Sequence, residues 1–336
     1  MMREIPYILN FLGLLPSLVE EKRTFLLIID GLGKNNVKIP SKKKFVEKTF
    51  RTVFPSSTPT FFYSFHSLLP PAQHGYLEWY MRFKGLKEPV TIPPWKTVSG
   101  RELELGKEIS KKDVFPFKSL SEILDRKGLS VCYYTPYSDG VFTRATSKGA
   151  KIRRIEYFSE VFPLEECDFS FIYWPSIDTI LHKYFKKDSF RAEIRIINLY
   201  IDILWRKLPK NSRLIIASDH GLTCIKKEYL LPSIKGEYPV GGGRIAFYKN
   251  VEIEEVKEVI QRKKIPAEVN TLRDVFGNKR ISRRCYENFG EIIVIAKENT
   301  GFRYPFEKSS DTHKFLGHHG GLTKEEMFVK VWIGEK

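Results

Sequence analysis

Four short apolar runs constrain the fold of this chain more than any other feature. They are FLLII at residues 25–29, VCYYT at 131–135, FSFIY at 169–173 and LIIA at 214–217. The runs are continuous rather than alternating, which is typical of strands buried on both faces of a mainly parallel sheet. Between the last two runs, residues 191–208 carry apolar side chains at helical spacing and predict a crossover helix. We therefore predict an α/β fold, in which helices cover both faces of a mainly parallel sheet.

The pattern changes over residues 223–312, which predict a small α+β insertion, or lid. Gly241-Gly242-Gly243 opens a turn there, residues 245–248 and 292–296 are predicted strands, and residues 252–263 are a predicted helix. Residues 327–333 then return a strand to the main sheet. The predicted organisation is a core of residues 1–222 and 313–336 with the insertion at 223–312.

Composition excludes a disordered chain, because 42% of the 336 residues are hydrophobic and enough apolar surface is available for a core. The chain has 56 Lys and Arg against 40 Asp and Glu, a formal net charge of +16. Such an excess is compatible with a nucleic-acid partner, an anionic substrate or a Lys-rich solvated surface.

The cysteines and the N-terminal segment bear on the cellular compartment. Cys132, Cys167, Cys224 and Cys285 show no C-x-x-C spacing, so we expect neither a zinc ribbon nor a disulfide framework. The apolar stretch at residues 5–19 is interrupted by polar residues, Gly and Pro, which argues against a signal peptide. No run approaches the roughly 20 apolar residues of a membrane span. We therefore expect a cytoplasmic protein without a membrane partner.

Acidic and His residues follow three of the predicted core strands and precede the final one. They are Asp30, the pair Asp178 and His182, the pair Asp219 and His220, and His319, which follows His318. A single Asp at a strand end is more often a cap than a ligand. The joint pattern nevertheless predicts a metal site, since carboxylates and imidazoles are the ligands of zinc and manganese.

A second segment, PSSTPT at residues 55–60, precedes an apolar stretch with helical character. A hydroxyl at a helix N-terminus meets unpaired amides and the positive end of the dipole, where an anionic ester binds well. Beside a metal ion, such a hydroxyl becomes a nucleophile. Taken alone, the segment is better explained as a helix N-cap, for which Ser and Thr are the usual residues.

In this order, these residues resemble the alkaline phosphatase superfamily, and most closely its type I phosphodiesterase/nucleotide pyrophosphatase branch. The resemblance implies that Thr58 is the nucleophile and binds one divalent ion with Asp30, Asp219 and His220. It implies that Asp178, His182 and His319 bind a second ion. The ions implied are Zn²⁺, with Mn²⁺ as an alternative. Ser57 and His318 are the alternatives to Thr58 and His319 if the register is shifted by one residue.

The chain departs from the nucleotide-cleaving members of that branch at one position. Those members have an Asn five residues after the His of an HG element, whereas Trp79 stands five residues after His74 here. Trp79 is a weak candidate for substrate binding, with packing against the sheet as its alternative. Arg244 is the other weak candidate, with a surface salt bridge as its alternative.

The function that follows is a two-metal hydrolase of phosphoric esters, which forms a phosphothreonine intermediate and prefers diesters or pyrophosphates. Its partner is an anionic phosphate-ester small molecule, with a nucleotide as one candidate. A phosphomonoesterase and a phosphonoacetate-hydrolase-like enzyme are alternatives within the superfamily. The alternative from another class is a non-catalytic nucleic-acid-binding protein on the same fold, which the net charge of +16 favours. No nucleic-acid-binding motif is visible, and every ligand position is filled.

Overall fold

A computed structural model describes residues 5–39, 44–185, 187–277, 280–307 and 315–336. The strands, in chain order, are β1 (Arg23–Ile29), β2 (Phe45–Arg51), β3 (Tyr80–Met81), β4 (Val90–Thr91), β5 (Lys96–Thr97), β6 (Val131–Thr135), β7 (Lys151–Arg154), β8 (Phe169–Trp174), β9 (Ser212–Ala217), β10 (Thr223–Cys224), β11 (Lys227–Leu230), β12 (Val240–Gly241), β13 (Ile245–Tyr248), β14 (Ala267–Thr271), β15 (Ile292–Ala296), β16 (Thr300–Arg303), β17 (Gly317–His318) and β18 (Phe328–Glu335).

The helices are likewise numbered in chain order. They are α1 (Ile8–Leu12), α2 (Leu15–Glu21), α3 (Thr58–Ser67), α4 (Pro71–His74), α5 (Lys111–Val114), α6 (Leu120–Asp125), α7 (Val141–Thr146), α8 (Ser176–Tyr184), α9 (Asp188–Lys207), α10 (Ile253–Arg262), α11 (Leu272–Phe276), α12 (Arg283–Asn288) and α13 (Lys324–Met327).

The main sheet has seven strands in the order β2-β18-β9-β1-β8-β6-β7. The pairs β9-β1, β1-β8, β8-β6 and β6-β7 are all parallel. Only β18 runs against its neighbours, pairing antiparallel with both β2 and β9. The four apolar runs are the central strands of this sheet, which confirms the predicted α/β fold.

Strand β1 shows why the runs are continuous. Leu26 and Ile28 point into one hydrophobic core, and Phe25, Leu27 and Ile29 point into the other. Because successive side chains alternate between faces, a strand covered on both sides needs apolar residues at every position. The predicted crossover helix corresponds to α9, which covers the second core.

Within the predicted insertion, a second, antiparallel sheet has the strand order β12-β13-β15-β14, with α10 packed on one face. Its other face joins the main core through Ile245, Phe247, Ile293 and Ile295. The predicted strands at 245–248 and 292–296 and the helix near 252–263 are all present. The predicted C-terminal limit of the insertion lies outside the described residues.

Cys132 and Cys167 form a disulfide, with a Cα–Cα distance of 5.9 Å. The expectation of no disulfide is therefore wrong for this pair. The two cysteines are 35 residues apart in the sequence, a spacing that does not by itself predict a disulfide. The two residues meet because β6 pairs in parallel with β8, and Cys167 lies just before β8. Cys224 and Cys285 are free. Among the described helices, none combines the length and apolar character needed to cross a membrane.

Candidate active site

Three adjacent strands deliver acidic residues to the same edge of the main sheet. Asp30 follows β1, Asp219 follows β9, and Asp178 lies in the first turn of α8, just after β8. Parallel strands end at one edge, so these residues meet although they are far apart in sequence. Gly31 permits the approach: its φ is +71°, and a Cβ there would lie 2.8 Å from the Cα of Asp178.

One group of donors converges on the imidazole of His220. Its Nε2 lies 2.9 Å from Thr58 Oγ1, 3.3 Å from Asp219 Oδ2 and 3.4 Å from Asp30 Oδ1. Asp30, Asp219 and His220 are buried and lie close enough together to hold one ion. This group matches the first implied ligand set, Thr58 included.

A second group surrounds Asp178. Its Oδ1 lies 3.3 Å from His182 Nε2 and 3.9 Å from His319 Nε2. The ring of His319 stacks on that of His220, with centroids 3.9 Å apart, so the two groups are adjacent. His318 points elsewhere, with its Nε2 3.8 Å from a carboxylate oxygen of Glu228. All seven implied ligand positions therefore lie in one continuous cluster.

Hydrogen bonds to the surrounding chain orient these side chains and leave one atom of each facing the site, where it could bind a metal ion. Asp219 Oδ1 accepts hydrogen bonds from the Gly31 and His220 amides, and the Tyr173 hydroxyl donates to Asp30 Oδ2. The Nδ1 atoms of His182 and His220 lie 2.8 Å and 3.2 Å from the Gly317 and Gly221 carbonyls. Such contacts fix the rings with Nε2 toward the site, as in many metal centres.

The donor atoms that have no hydrogen-bond partner are of the kind that binds divalent cations. Among the described residues, Asp30 Oδ1, Asp178 Oδ1 and Asp219 Oδ2 are buried without a hydrogen-bond partner. Burial, together with the charges of Asp219 and Asp178, raises the pKa of Asp30 well above its usual value. Burial lowers the pKa of His319 well below its usual value, so its ring is neutral and has a lone pair to offer. Buried carboxylate oxygens without hydrogen-bond partners, beside the neutral ring of His319, form a donor set that a metal ion satisfies.

The segment PSSTPT forms the N-terminus of α3. Thr58 is the first residue of the helix and lines the cavity described below, whereas Ser57 is the N-cap. The Ser57 hydroxyl is buried and bonds the Thr60 hydroxyl at 2.9 Å. Ser57 makes no side-chain cap to the helix amides. The structure thus places the Thr58 hydroxyl, not that of Ser57, among the metal-type ligands.

A cavity of about 880 Å³ opens in front of Thr58 and the ligand cluster. Its walls come from α3, the ends of β6 and β8, the segment around Trp79, and the insertion. Gly242 and Gly243 of the insertion also line it. A Cβ on Gly243 would lie 2.1 Å from the His318 ring, which explains why the turn needs glycine.

Comparison with known proteins identifies the family. The model of the family "Type I phosphodiesterase / nucleotide pyrophosphatase" matches residues 25–322. The chain belongs to this family. Membership confirms the resemblance seen in the sequence and the expectation of a phosphoric ester hydrolase. A search of curated protein sequences found no match.

Solved structures similar to this phosphodiesterase-family chain share its fold. Murine ectonucleotide pyrophosphatase/phosphodiesterase 5 has 18% identity and a TM-score of 0.69, with 93% of this chain and 88% of that chain covered. The human protein of the same name gives 18% identity and a TM-score of 0.68, with 93% and 87% covered. Phosphonoacetate hydrolase from Sinorhizobium meliloti 1021 gives 13% identity and a TM-score of 0.63, with 94% and 91% covered.

The two weak substrate-binding candidates of this family member have different environments. Trp79 lines the cavity and is 37% exposed, so it is available to a substrate. Arg244 is fully buried and lies outside the cavity lining. Its guanidinium pairs with Glu326 at 3.1 Å and donates to the Thr300 carbonyl. The expected substrate contact is therefore replaced by an ion pair, and this pair is buried rather than on the surface.

Glu78, which the sequence did not single out as functional, is a buried carboxyl in the cavity wall of this phosphodiesterase-family chain. It accepts a hydrogen bond from the Trp79 amide at 2.9 Å, and its Oε1 has no partner among the described residues. A Cβ on Gly242 or Gly320 would lie within 2.6 Å of this carboxyl, so both loops need glycine there. Burial raises the pKa of Glu78 to about 8.

We expect Glu78→Gln to stabilise the protein at pH 8 but not at pH 5. The folded carboxyl holds its proton to about pH 8, whereas the unfolded one, with the ordinary glutamate pKa of 4.5, loses it earlier. The wild-type protein therefore loses folding stability as pH rises between these values, by about 3 kcal/mol from pH 5 to pH 8. The amide mimics the protonated form and has no such loss.

Denaturant unfolding of both proteins in EDTA at the two pH values measures this effect. Glu307→Gln, also in the cavity wall but at the insertion, is the matched control. Equal pH dependence of the wild type and Glu78→Gln would show that Glu78 is ionised in the folded protein.

Proposed function

We propose that this protein hydrolyses phosphodiesters with two bound divalent ions and Thr58 as the nucleophile. The observation that carries the proposal is the single cluster in which Thr58 Oγ1 lies 2.9 Å from His220 Nε2, among unpartnered carboxylates. A metal-type donor set around a cavity-facing hydroxyl is the arrangement expected for covalent hydrolysis of an ester.

The two ions are assigned to the two groups of donors. Thr58, Asp30, Asp219 and His220 would hold one, and Asp178, His182 and His319 would hold the other. When bound, the pair supplies positive charge that lowers the pKa of a nearby hydroxyl and offsets negative charge on the phosphoryl oxygens. Mixed carboxylate and imidazole donors favour zinc, with manganese as the alternative.

The chain itself orients the nucleophile. Helix α3 begins at Thr58, so the positive end of its dipole and unpaired backbone amides face the phosphoryl group. The Thr58 oxygen would attack phosphorus as the bond to the leaving alcohol breaks, and the alcohol departs with a proton. Water would then cleave the phosphothreonine, which releases a phosphomonoester and restores the hydroxyl.

A structural neighbour supports the assignment of the nucleophile. The murine phosphodiesterase 5 structure with AMP is of an inactive variant in which a threonine is replaced by alanine. AMP and phosphonoacetate, bound in the neighbours, are both small phosphorus-containing anions. By analogy we propose that a small anionic phosphate ester, rather than a nucleic acid, is the partner of this chain.

The decisive experiment combines metal analysis with two chromogenic substrates. The purified protein is loaded with Zn²⁺ or Mn²⁺, its metal content is measured, and hydrolysis of bis-p-nitrophenyl phosphate is compared with that of p-nitrophenyl phosphate. We expect two ions per chain and faster hydrolysis of the diester. Faster monoester hydrolysis would favour a phosphomonoesterase, and no hydrolysis with either metal would contradict the proposal.

A further inference from the structure

The buried carboxylate of Glu326 contacts the loop that carries His319. Its Oε1 accepts a hydrogen bond from the amide of Gly321, two residues after His319, at 2.8 Å. A Cβ on Gly321 would lie 2.9 Å from both oxygens of this carboxylate, so the close approach requires glycine at that position. The position of the His319 loop therefore depends on where the Glu326 carboxylate lies.

The backbone of the same residue contacts the loop that carries the other stacked histidine. The Glu326 carbonyl accepts a hydrogen bond at 3.0 Å from the amide of Gly221, which directly follows His220. A Cβ on Gly221 would lie 2.1 Å from the Glu325 carbonyl oxygen, so this loop is also packed tightly against α13. His220 and His319 belong to different groups of donors. Glu326 thus contacts the chain beside one histidine of each group.

Helix capping explains only part of this arrangement. Glu326 forms a capping box with Thr323, accepting hydrogen bonds from its amide at 3.2 Å and its hydroxyl at 2.7 Å. A capping box needs no arginine, yet Nε and Nη2 of Arg244 donate to the two Glu326 oxygens at 3.1 Å and 3.2 Å. Such a two-point contact fixes the orientation of a carboxylate as well as its position.

The arginine of this pair comes from the predicted insertion and is itself firmly placed. Its guanidinium also donates to the Thr300 carbonyl, and its own carbonyl accepts from the Ala296 amide at 2.9 Å. Arg244 and Glu326 are both fully buried. Because water cannot replace either partner there, loss of one leaves the charge of the other uncompensated. The carboxylate that contacts the His319 loop therefore depends on a residue of the insertion.

We propose that Arg244, acting through Glu326, positions His319 for metal binding. The insertion would then shape the metal site from outside the ligand cluster, as well as forming part of the cavity wall. This role rests on the proposed function for the assignment of His319 as a ligand, and it adds two positioning residues, Arg244 and Glu326, which lie behind that ligand.

The zinc affinity of Arg244→Met tests the proposal without turnover. The affinities of the two ions are measured by competition with a chromophoric chelator, at a temperature where the variant is fully folded. Residues that orient metal ligands typically contribute 10- to 100-fold to affinity. We therefore expect the more weakly bound ion to lose about 10- to 100-fold in affinity. An affinity within about threefold of the wild type would overturn the proposal.

Arg213→Met is the matched control. Arg213 is also a buried arginine that pairs with carboxylates, those of Glu335 at 3.0 Å and Glu21 at 3.2 Å. It lies near the amino end of β9, whereas the ligand cluster lies at the carboxyl ends of the strands. We expect Arg213→Met to lose folding stability but to retain zinc affinity within about threefold. Equal losses of affinity in both variants would show a general effect of destabilisation and overturn the proposal.

Arg244→Lys replaces Arg244→Met if the latter does not fold. Lysine keeps the positive charge opposite Glu326 but lacks the planar group that bonds both oxygens. We expect a loss of at least about fivefold in the affinity of the weaker ion. Wild-type affinity in this variant would overturn the proposal.

The outcomes for the two proposals are separable. If bis-p-nitrophenyl phosphate is not hydrolysed but Arg244→Met binds zinc more weakly than Arg213→Met, the proposed function fails and the positioning role stands. If the diester is hydrolysed but both variants bind zinc as the wild type does, the positioning role fails and the proposed function stands.

Discussion

Thr58→Ala is expected to reduce kcat for bis-p-nitrophenyl phosphate by at least about 10⁴-fold, the scale seen when a nucleophile is removed. The variant loses the oxygen that would form the covalent bond to phosphorus. It keeps the carboxylates and imidazoles that hold the ions, so its metal content should remain close to that of the wild type. Stopped assays and metal analysis on the same samples measure both quantities.

Ser57→Ala is the matched control for this experiment. The two hydroxyls are adjacent in sequence, but that of Ser57 is buried against Thr60. We expect Ser57→Ala to retain activity within about tenfold, because the Ser57 hydroxyl is bonded inside the protein and lies outside the ligand cluster. A severe loss in Ser57→Ala together with an active Thr58→Ala would shift the nucleophile by one residue.

His319→Ala is expected to lose about one metal ion per chain and to reduce kcat/KM by more than about 100-fold. Even residues that only support metal ligands often contribute 10- to 100-fold to metal affinity or activity, and His319 is proposed to be a ligand itself. Its Nε2 lies 3.9 Å from Asp178 Oδ1, and its ring stacks on His220. Metal content after dialysis, measured beside activity, tests the assignment.

His318→Ala provides the comparison at the neighbouring residue. The ring of His318 packs against the insertion near Gly243 and faces Glu228 rather than the carboxylate cluster. We therefore expect this variant to retain both ions. Loss of an ion from His318→Ala, with none lost from His319→Ala, would reverse the assignment of the two histidines.

Most of the candidate metal ligands were predictable because they follow a recognisable strand. Asp30 comes directly after a continuous apolar run and Asp219 follows another with one residue between them, and the carboxyl ends of parallel strands share one edge of a sheet. The role of Thr58 was harder to predict, because a hydroxyl before a helix is also an ordinary cap. Only the packed structure separates Thr58, beside His220, from the buried Ser57.

Arg244 and Glu78 show where sequence reasoning was insufficient. An Arg after a glycine turn is compatible with a surface or a substrate contact, but Arg244 is buried because Glu326 lies opposite it after folding. Glu78 has no functional signal in the sequence, yet packing of the Gly242 and Gly320 loops buries its carboxyl. The partners of both residues are distant in sequence and have no shared spacing.

The sequence by itself determined the main sheet, the order of the candidate metal ligands along the chain, and the family. These depend on local apolar runs and on the polar residues that end them. The tertiary structure alone decided the Cys132–Cys167 disulfide, the buried Arg244–Glu326 pair and the hydrogen bond from Tyr173 to Asp30. Each of these depends on which side chains from separate elements meet, and on how much water remains between them. Local periodicity carries no information about such encounters.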